Sequence, residues 1–313
     1  MKDMNSELTH RYQYLTKLLD IQYPIFQGGM GNISEHTLAA AVSNAGGLGT
    51  IAAGGLSPEQ LVNEISEVRE LTDKPFAVNV PLKNKYANEF IQVVINQKVP
   101  VLVTGAGSPE IYLSDVKKAG IHIIPVVSFC ALAKRLARLG VDAVIAEGCE
   151  SGGHIGETTT MCLVPQIVDT ISIPVIAAGG IADGRGVAAS FMLGASGFQM
   201  GTAFLAAAEC QVSDHYRDMV FKARDTSTVV LNHGKVDLDD IRVLKSPLTT
   251  EYLATEADAP INLEGRLALA AKKGDAESGL YMAGQIAGMI KEKTTVKDLL
   301  ASVWNQACAC MGA

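Results

Sequence analysis

One histidine of the sequence lies in a setting that suits chemistry. His154 is flanked by glycines in residues 152–156, after a short β-branched run that ends at Glu147. An imidazole on such a loop can face a ligand, and it titrates near neutral pH. The pattern pairs it with no serine or cysteine nucleophile. We predict a functional role for His154, whereas His36 and His215 have the helical setting of structural histidines.

Two glycine turns provide a candidate phosphate site. Gly179-Gly180 and Gly201-Thr202 each follow a short apolar run that is typical of a strand. Glycine lets the backbone approach closely and turns N–H groups toward an anion, and Thr202 can add a hydroxyl donor. In α/β barrels the last two strands commonly carry a phosphate. We predict phosphate binding here; the alternative is that the glycines only form turns.

The cofactor that these turns favour is FMN. No G-x-G-x-x-G follows the first predicted strand, and residues 105–110 lack the third glycine, so a Rossmann dinucleotide site is not expected. Asn79 and Glu147 are the polar ends of predicted strands three and six. Their amide and carboxylate could bond the edge of a flavin ring or its ribityl hydroxyls. The alternative is that each satisfies only a loop backbone.

These residues lie at the ends of predicted strands. Eight apolar runs alternate with helical patterns, and the spacing of roughly 25 residues predicts a (β/α)8 TIM barrel, with a doubly wound sheet as the alternative. Ligands of such barrels bind at the C-terminal ends of the strands. Ser34 is predicted to cap the helix after the first strand. The predicted strands span residues 23–27, 48–53, 76–80, 101–104, 121–127, 143–146, 174–178 and 197–201.

The regular alternation of strands and helices ends near residue 209, and this change predicts an appended domain. Residues 1–208 are assigned to the FMN-binding barrel, and residues 209–285 to a small substrate domain over the barrel mouth. Residues 226–231 are predicted as a strand, followed by an irregular region to about residue 260. Residues 286–313 are assigned to C-terminal helices that return to the barrel.

Composition narrows the classes of partner and compartment. The 313 residues carry a formal net charge of −7, with 5% aromatics and one tryptophan, which argues against nucleic-acid binding. The six cysteines form no C-x-x-C pair, so we expect free thiols in a reducing compartment and no metal site. No apolar run approaches the roughly 20 residues that span a bilayer. We predict a cytoplasmic protein.

The sequence resembles a known family of flavoenzymes. The motifs that carry the resemblance are, in chain order, YPIFQGGM, DKPFAVNV, TGAG, AEGCESGGHIGETTTM, IPVIAAGGIADGRG and MAGQIAG. With them, nearly the whole chain is similar to the flavin-containing enoyl-acyl carrier protein reductase II family, a branch of the nitronate monooxygenase superfamily, and the similarity is weakest from about residue 212 to 259. The resemblance implies FMN, NADH as reductant (NADPH is possible), and reduction of the trans-2 double bond of enoyl thioesters in bacterial fatty-acid synthesis. It also implies acyl carrier protein as partner, and we predict a homodimer.

The resemblance also assigns roles to residues. His154 would be the catalytic histidine, and Met282 and Gln285 would line the substrate pocket. Cys149 departs from the family pattern, where a bulkier apolar residue is expected. The flavin contacts would be Gly28, Gly29, Met30, Asn79, Glu147, Gly153, Gly179, Gly180, Met200, Gly201 and Thr202.

Two other functions stay open at this point. A nitronate monooxygenase shares the glycine–glycine–histidine loop, although residues 155–161 and the string MAGQIAG favour the reductase. A non-enzymatic flavin- or phosphate-binding protein is the third hypothesis.

A carrier protein is acidic, so docking on this acidic chain would need a local basic patch. The candidates are Lys83, Lys85, Arg242 and Lys245, and the alternative is that they form only a solvated face.

Overall fold

A computed structural model of the chain contains eleven strands within the residues that it describes, and eight of them form a parallel sheet. The structure describes residues 2–235, 238–255, 261, 263 and 265–312, with side chains from residue 9 onward. The strands are β1 (Ile25–Gln27), β2 (Gly49–Ala52), β3 (Phe76–Pro81), β4 (Val101–Gly105), β5 (His122–Val127), β6 (Val144–Glu147), β7 (Gly153–His154), β8 (Val175–Ala178), β9 (Gly197–Met200), β10 (Thr228–Leu231) and β11 (Ile241–Leu244).

Helices follow most of the parallel strands, as the sequence pattern predicts. Short 3₁₀ segments occupy Glu110–Tyr112, Thr202–Ala206 and Gln285–Met289, and Leu269–Lys273 is a π turn. The α-helices are α1 (Lys2–Leu19), α2 (His36–Asn44), α3 (Pro58–Leu71), α4 (Ala87–Asn96), α5 (Leu113–Lys118), α6 (Cys130–Leu139), α7 (Thr160–Val168), α8 (Gly184–Met192), α9 (Asp214–Phe221), α10 (Pro247–Ala254), α11 (Arg266–Ala268) and α12 (Val296–Met311).

The predicted (β/α)8 barrel is confirmed. The parallel strands follow the order β1-β9-β8-β6-β5-β4-β3-β2, and a parallel bridge between Phe26 and Leu48 nearly closes the ring. The buried side chain of Gln27 completes this seam. Its amide nitrogen donates to the Thr50 carbonyl at 3.0 Å, and its oxygen accepts from the Thr50 N–H at 3.1 Å. The Gln27 side chain thereby takes the place of a pair of backbone hydrogen bonds between β1 and β2.

Helix α1 covers the N-terminal end of the barrel. Leu15 and Leu19 are buried in the cluster of side chains that fills the barrel interior, together with Phe26, Val101 and Ile145. The outer faces of the strands pack on the helices in a second and larger cluster. Because the N-terminal end of the barrel is filled in this way, a ligand can enter the barrel only from the C-terminal end.

The prediction that Ser34 caps α2 is wrong. Glu35 is the N-cap residue, and its carboxylate accepts from the Leu38 N–H. The Ser34 hydroxyl instead donates to the Gly28 carbonyl at 3.1 Å and accepts from the Met30 N–H at 2.9 Å. Ser34 therefore fixes the loop after β1, which carries three of the predicted flavin contacts.

A small antiparallel sheet, the appended sheet, follows the barrel. It has the order β10-β11-β7, so one of its strands comes from the loop after β6. A separate hydrophobic cluster under it contains Leu231, Val243 and Leu280. The predicted strand near 226–231 corresponds to β10, but the irregular region predicted after it is wrong, because β11 and α10 form there. Residues 256–260 of that region lie outside the described chain, and the division into domains stays a prediction.

The cysteines are free thiols, and two of them lie where a thiolate is disfavoured. All six are unpaired in the structure. Burial raises the pKa of Cys210 to about 12 and also raises the pKa of Cys149, so the thiolate is disfavoured at both. Across the described residues, no helix combines the length and apolarity that crossing a membrane requires. The cytoplasmic location stays a prediction.

Candidate active site

A cavity of about 1240 Å³ opens at the C-terminal ends of the barrel strands, large enough for a cofactor and a substrate. Gln285 does not line it: the side chain is exposed, and its N–H donates to the Glu150 carbonyl at 2.9 Å. The cavity brings together all the other predicted site residues, namely Gly28, Gly29, Met30, Asn79, Glu147, Gly153, His154, Gly179, Gly180, Met200, Gly201, Thr202 and Met282.

Strand alternation explains why Asn79 and Glu147 face this cavity. Ala77 in β3 and Ile145 in β6 pack in the barrel interior. Side chains two residues apart on a strand share a face. Asn79 and Glu147 therefore continue the interior rows at the open end, where both line the cavity.

Glu147 is a carboxyl group in a poorly solvated place. It is partly buried at the end of β6, and desolvation raises its pKa to about 7, against a smaller opposing effect of the Ser151 hydroxyl. That hydroxyl is buried and makes no hydrogen bond to any described residue, so its stabilisation of the carboxylate is weak. Glu147 therefore titrates close to neutral pH.

The glycines around His154 are required by close backbone packing. A Cβ on Gly152 would lie 2.6 Å from the carbonyl carbon of Ala283, and Gly153 has a φ of +83°, in the left-handed region. His154 itself pairs with Ile241 of β11. The loop is thus held between the barrel and the appended sheet, which fixes the backbone that carries the imidazole.

The His154 imidazole is available to a ligand. His154 is exposed, and its ring nitrogens have no hydrogen-bond partner among the described residues. Desolvation is the main cause that lowers its pKa; Lys83 lowers it further, and Asp239 raises it. The imidazole is therefore neutral at pH 7, with one N–H to donate.

The predicted phosphate turns have the backbone that an anion site needs. Gly179 and Gly180 have φ values of +92° and +73°, so both occupy the left-handed region. A Cβ on Gly179 would lie 2.9 Å from the Gly148 carbonyl oxygen. The Thr202 hydroxyl accepts from the Gly284 N–H at 2.9 Å, which leaves its own proton for another acceptor.

Asn79 and Gly29 are in contact in another part of the cavity wall. The Asn79 amide nitrogen donates to the Gly29 carbonyl at 3.3 Å, and a Cβ on Gly29 would lie 2.3 Å from that nitrogen. Only glycine leaves room for the Asn79 side chain. The Asn79 amide oxygen is buried and has no hydrogen-bond partner in the described part of the protein.

Met282 reaches the cavity from the segment before the last helices. The Tyr216 hydroxyl donates to its carbonyl, and an antiparallel bridge joins it to Val243. Its sulfur lies 3.3 Å from the position that a Cβ on Gly153 would take. Met282 is thus packed beside the histidine loop; its role toward a substrate stays a prediction.

Comparison with known proteins assigns this site to a family. A family model described as nitronate monooxygenase matches residues 12–91 and 85–306. The chain belongs to the nitronate monooxygenase family. The resemblance inferred from the sequence is thereby confirmed at this level. Curated relatives include a probable nitronate monooxygenase of Staphylococcus aureus, 39% identical over 69% of this chain and 74% of the relative.

Solved structures that are similar to this chain carry two different enzyme names. FabK from Thermotoga maritima is 45% identical, with a TM-score of 0.92 over 96% of this chain and 97% of that one. A nitroalkane oxidase from Streptomyces ansochromogenes is 27% identical, with a TM-score of 0.83 over 95% of this chain and 99% of that one. The family and these neighbours make the protein a flavin oxidoreductase.

The cavity of this family member fits a flavin. The buried Asn79 oxygen and the Ser151 hydroxyl both line the cavity and have no hydrogen-bond partner among the residues described. Buried polar atoms are normally paired, so these two indicate a polar ligand that supplies their partners. A flavin has hydrogen-bonding groups on its ring edge and ribityl chain, and the glycine turns suit a phosphate.

Glu150 is a cavity residue that the sequence pattern did not predict. Its two carboxylate oxygens accept from the Thr160 N–H at 3.0 and 2.9 Å, at the start of α7. The Thr160 hydroxyl in turn lies 2.9 Å from the Gly179 carbonyl oxygen. Glu150 lines the cavity and connects α7 to the first phosphate turn. The only signal in the sequence was a carboxylate in the same loop as His154.

One predicted docking residue is wrongly placed. Arg242 is buried, with its guanidinium donating to the Cys149 carbonyl at 3.0 Å and to the Thr228 hydroxyl at 3.2 Å. It braces the appended sheet against the histidine loop and cannot belong to an exposed basic patch. Lys85 and Lys245 are exposed, as the docking hypothesis needs.

The pKa of Glu147 leads to a pH-dependent stability. Because the folded pKa of about 7 exceeds the usual 4.5, the protonated carboxyl stabilises the fold at low pH, and this contribution is lost as the pH rises through 7. Between pH 5 and pH 8 the free energy of unfolding of the flavin-free protein should fall by on the order of 2 kcal/mol relative to that of the Glu147→Gln variant. Urea unfolding of both proteins at the two pH values measures this difference. Parallel pH profiles would show that Glu147 is not desolvated.

Proposed function

We propose that the protein is an FMN-dependent enoyl-acyl carrier protein reductase that uses NADH to reduce the trans-2 double bond of enoyl thioesters in bacterial fatty-acid synthesis. The observation that carries this proposal is the likeness to FabK, an enoyl-acyl carrier protein reductase II. The identity to FabK is 45% over 96% of the chain, against 27% for the nitroalkane oxidase. A histidine with a free N–H at the cavity supports the same chemistry.

The chain offers a distinct place for each part of FMN. Gly179, Gly180, Gly201 and Thr202 would hold the phosphate through backbone N–H groups and one hydroxyl. Asn79 and Glu147, at the ends of β3 and β6, would bind the ring edge or the ribityl chain. When bound, FMN supplies the hydride chemistry, accepting from NADH and donating to the β-carbon of the enoyl thioester.

The chain's own contribution to that reaction is at the thioester carbonyl. Negative charge develops on this oxygen as the β-carbon accepts hydride, and a preorganised N–H donor stabilises it. His154 has such an N–H, and its imidazole is neutral because partial desolvation in the loop lowers its pKa. The neutral ring suits hydrogen-bond donation better than proton delivery, so we assign the donor role to His154.

Nitronate monooxygenation is the second candidate. It is favoured by the family model and by the Staphylococcus aureus relatives of that name. The two functions separate in a simple experiment: the reductase consumes NADH when crotonyl thioester is added, whereas the monooxygenase takes up dioxygen with a nitronate and needs no NADH. Anaerobic bleaching by NADH, followed by recolouring with the thioester, would support the reductase. Oxygen uptake with a nitronate and no NADH oxidation would refute it.

The carrier-protein part of the proposal has its own test. Lys85 is exposed and lines the cavity, with its ammonium group 4.9 Å from the centre of the Tyr86 ring. Lys85→Glu should slow turnover of the carrier-bound substrate about tenfold through reduced electrostatic steering, and spare crotonyl-coenzyme A. The matched control is Lys222→Glu on α9, where the lysine pairs with Asp218. Equal losses on both substrates would refute a docking role. The dimeric state and the preference for NADH over NADPH stay predictions.

A further inference from the structure

Backbone contacts hold one side of the appended sheet to the barrel. The Gly284 N–H donates to the Thr202 hydroxyl, and the Gln285 N–H donates to the Glu150 carbonyl, both at 2.9 Å. These two directional contacts define the fixed side of the sheet. A third backbone bond, from the Ile155 N–H to the Asp240 carbonyl at 3.0 Å, lies next to Asp239 and therefore away from the fixed side.

The opposite side is held differently. The Lys83 ammonium in the loop after β3 lies 2.6 and 2.9 Å from the two carboxylate oxygens of Asp239, just before β11. In the described part of the chain, no other ion pair joins residues 9–208 to the later residues. Both side chains line the cavity, so the pair spans its mouth.

The pair is of a kind that breaks easily. The side chains of Lys83 and Asp239 are 64% and 46% exposed. Exposed ion pairs contribute little to stability and are screened by salt. A contact of this strength can open and close many times during turnover, whereas the backbone contacts on the fixed side persist.

The ion pair between Lys83 and Asp239 lies close to the strand pairing that holds His154. Asp239 is two residues before Ile241, which pairs with His154 in the ladder between β11 and β7. Both charged groups also act electrostatically on the His154 imidazole. Opening at Asp239 would therefore widen the cavity beside the residue that we assign to the thioester oxygen.

We propose that Lys83 and Asp239 form a latch that closes the appended sheet over the cavity and controls the passage of the thioester substrate to His154. The closing of the appended sheet is independent of the proposed function. The passage of a thioester substrate rests on the proposed function. The two residues are positioning residues and do not take part in the chemistry.

Hydrogen–deuterium exchange tests the structural half without any activity. Lys83→Ala and Asp239→Ala should each raise exchange of the Ile155 amide and of the β10–β11 amides about two- to fivefold, because either change opens the same contact. The double variant should resemble each single variant. The charge-swapped protein, Lys83→Asp with Asp239→Lys, should return toward the parent rate. Unchanged exchange in both single variants would overturn the latch.

Salt and a neighbouring lysine provide the controls. Raising the salt concentration should increase exchange in the parent and leave the Lys83→Ala/Asp239→Ala protein unaffected, since no charge pair remains to be screened. Lys85 lies on the same loop but outside the ion pair, so Lys85→Ala should leave hydrogen exchange of β10 and β11 at the parent level. A salt effect of equal size in the double variant would contradict an electrostatic latch.

Kinetics test the second half. In an enzyme that reduces enoyl thioesters, Lys83→Ala should change KM for the thioester two- to fivefold, with a smaller effect on flavin reduction by NADH at saturation. Lys222→Ala, which breaks an exposed pair on α9, should change neither. Faster exchange with unaltered KM would overturn control of substrate passage. A parent protein without NADH-dependent reduction, but with the expected exchange pattern, would refute the proposed function and leave the latch standing.

Discussion

Replacing His154 with alanine should slow reoxidation of the NADH-reduced protein by an enoyl thioester about 10²–10³-fold, the usual cost of losing one oxyanion donor. Flavin binding and reduction by NADH should persist. The backbone of residue 154 is held by its pairing with Ile241, and none of the described residues depends on the imidazole for a hydrogen bond. The substitution therefore removes the donor and leaves the loop in place.

Stopped-flow measurement of the two half-reactions checks this asymmetry. His154→Gln keeps an N–H donor and should recover part of the rate. His122→Ala, at the start of β5 and hydrogen-bonded to Asp142, makes the same change at the opposite end of the barrel and should leave both half-reactions intact. A parent-like reoxidation rate in His154→Ala would move the donor role to another residue.

The pH profile separates the two roles that an imidazole could have. Partial desolvation lowers the pKa of His154, so the ring is neutral at and above neutral pH. A hydrogen-bond donor works in that state, and the parent's rate of reoxidation should then be level from pH 7 to 8. A general acid would instead lose activity steadily as the pH rises above its pKa. A falling rate that His154→Ala abolishes would favour proton delivery.

The barrel and most of its mouth could be predicted because both follow from local patterns. Short apolar runs that end in glycine or a single polar residue mark buried parallel strands. Strand alternation then places Asn79 and Glu147 in the open end. The turn at Gly179-Gly180 was recognisable for the same reason, since two glycines directly after a buried run indicate a backbone that other residues adopt only with strain.

What the sequence could not predict depends on contacts between distant parts of the chain. Lys83 and Asp239 meet although 156 residues separate them, and no local pattern pairs them. Arg242 resembles a surface cation until the fold places the Cys149 carbonyl beside it. Gln285 looked like a pocket residue by its motif, but the 3₁₀ turn that begins there directs its side chain to solvent.

Placing a leucine at Gly180 should yield folded but colourless protein. The three atoms nearest to a Cβ there all belong to the Glu150 side chain, at 3.6 Å, so the larger residue is accommodated while it fills the space that a phosphate would occupy. Losing two charge-assisted hydrogen bonds of about 1.5–3 kcal/mol each lowers affinity ~10²-fold or more. Flavin absorbance of the purified protein measures the loss.

Two further variants separate blocked binding from backbone strain. Gly120 has a φ of +74°, against +73° at Gly180, and a Cβ there would have no neighbour within 4 Å. Gly120→Leu at the far end of the barrel therefore carries the same left-handed penalty, roughly 1–2 kcal/mol, and should keep its flavin. Gly201→Leu carries no such strain, because its φ is −116°, and should also be colourless. If the Gly180 and Gly201 variants both retain full flavin, the phosphate lies elsewhere, because neither turn would then need the close backbone approach that only glycine allows.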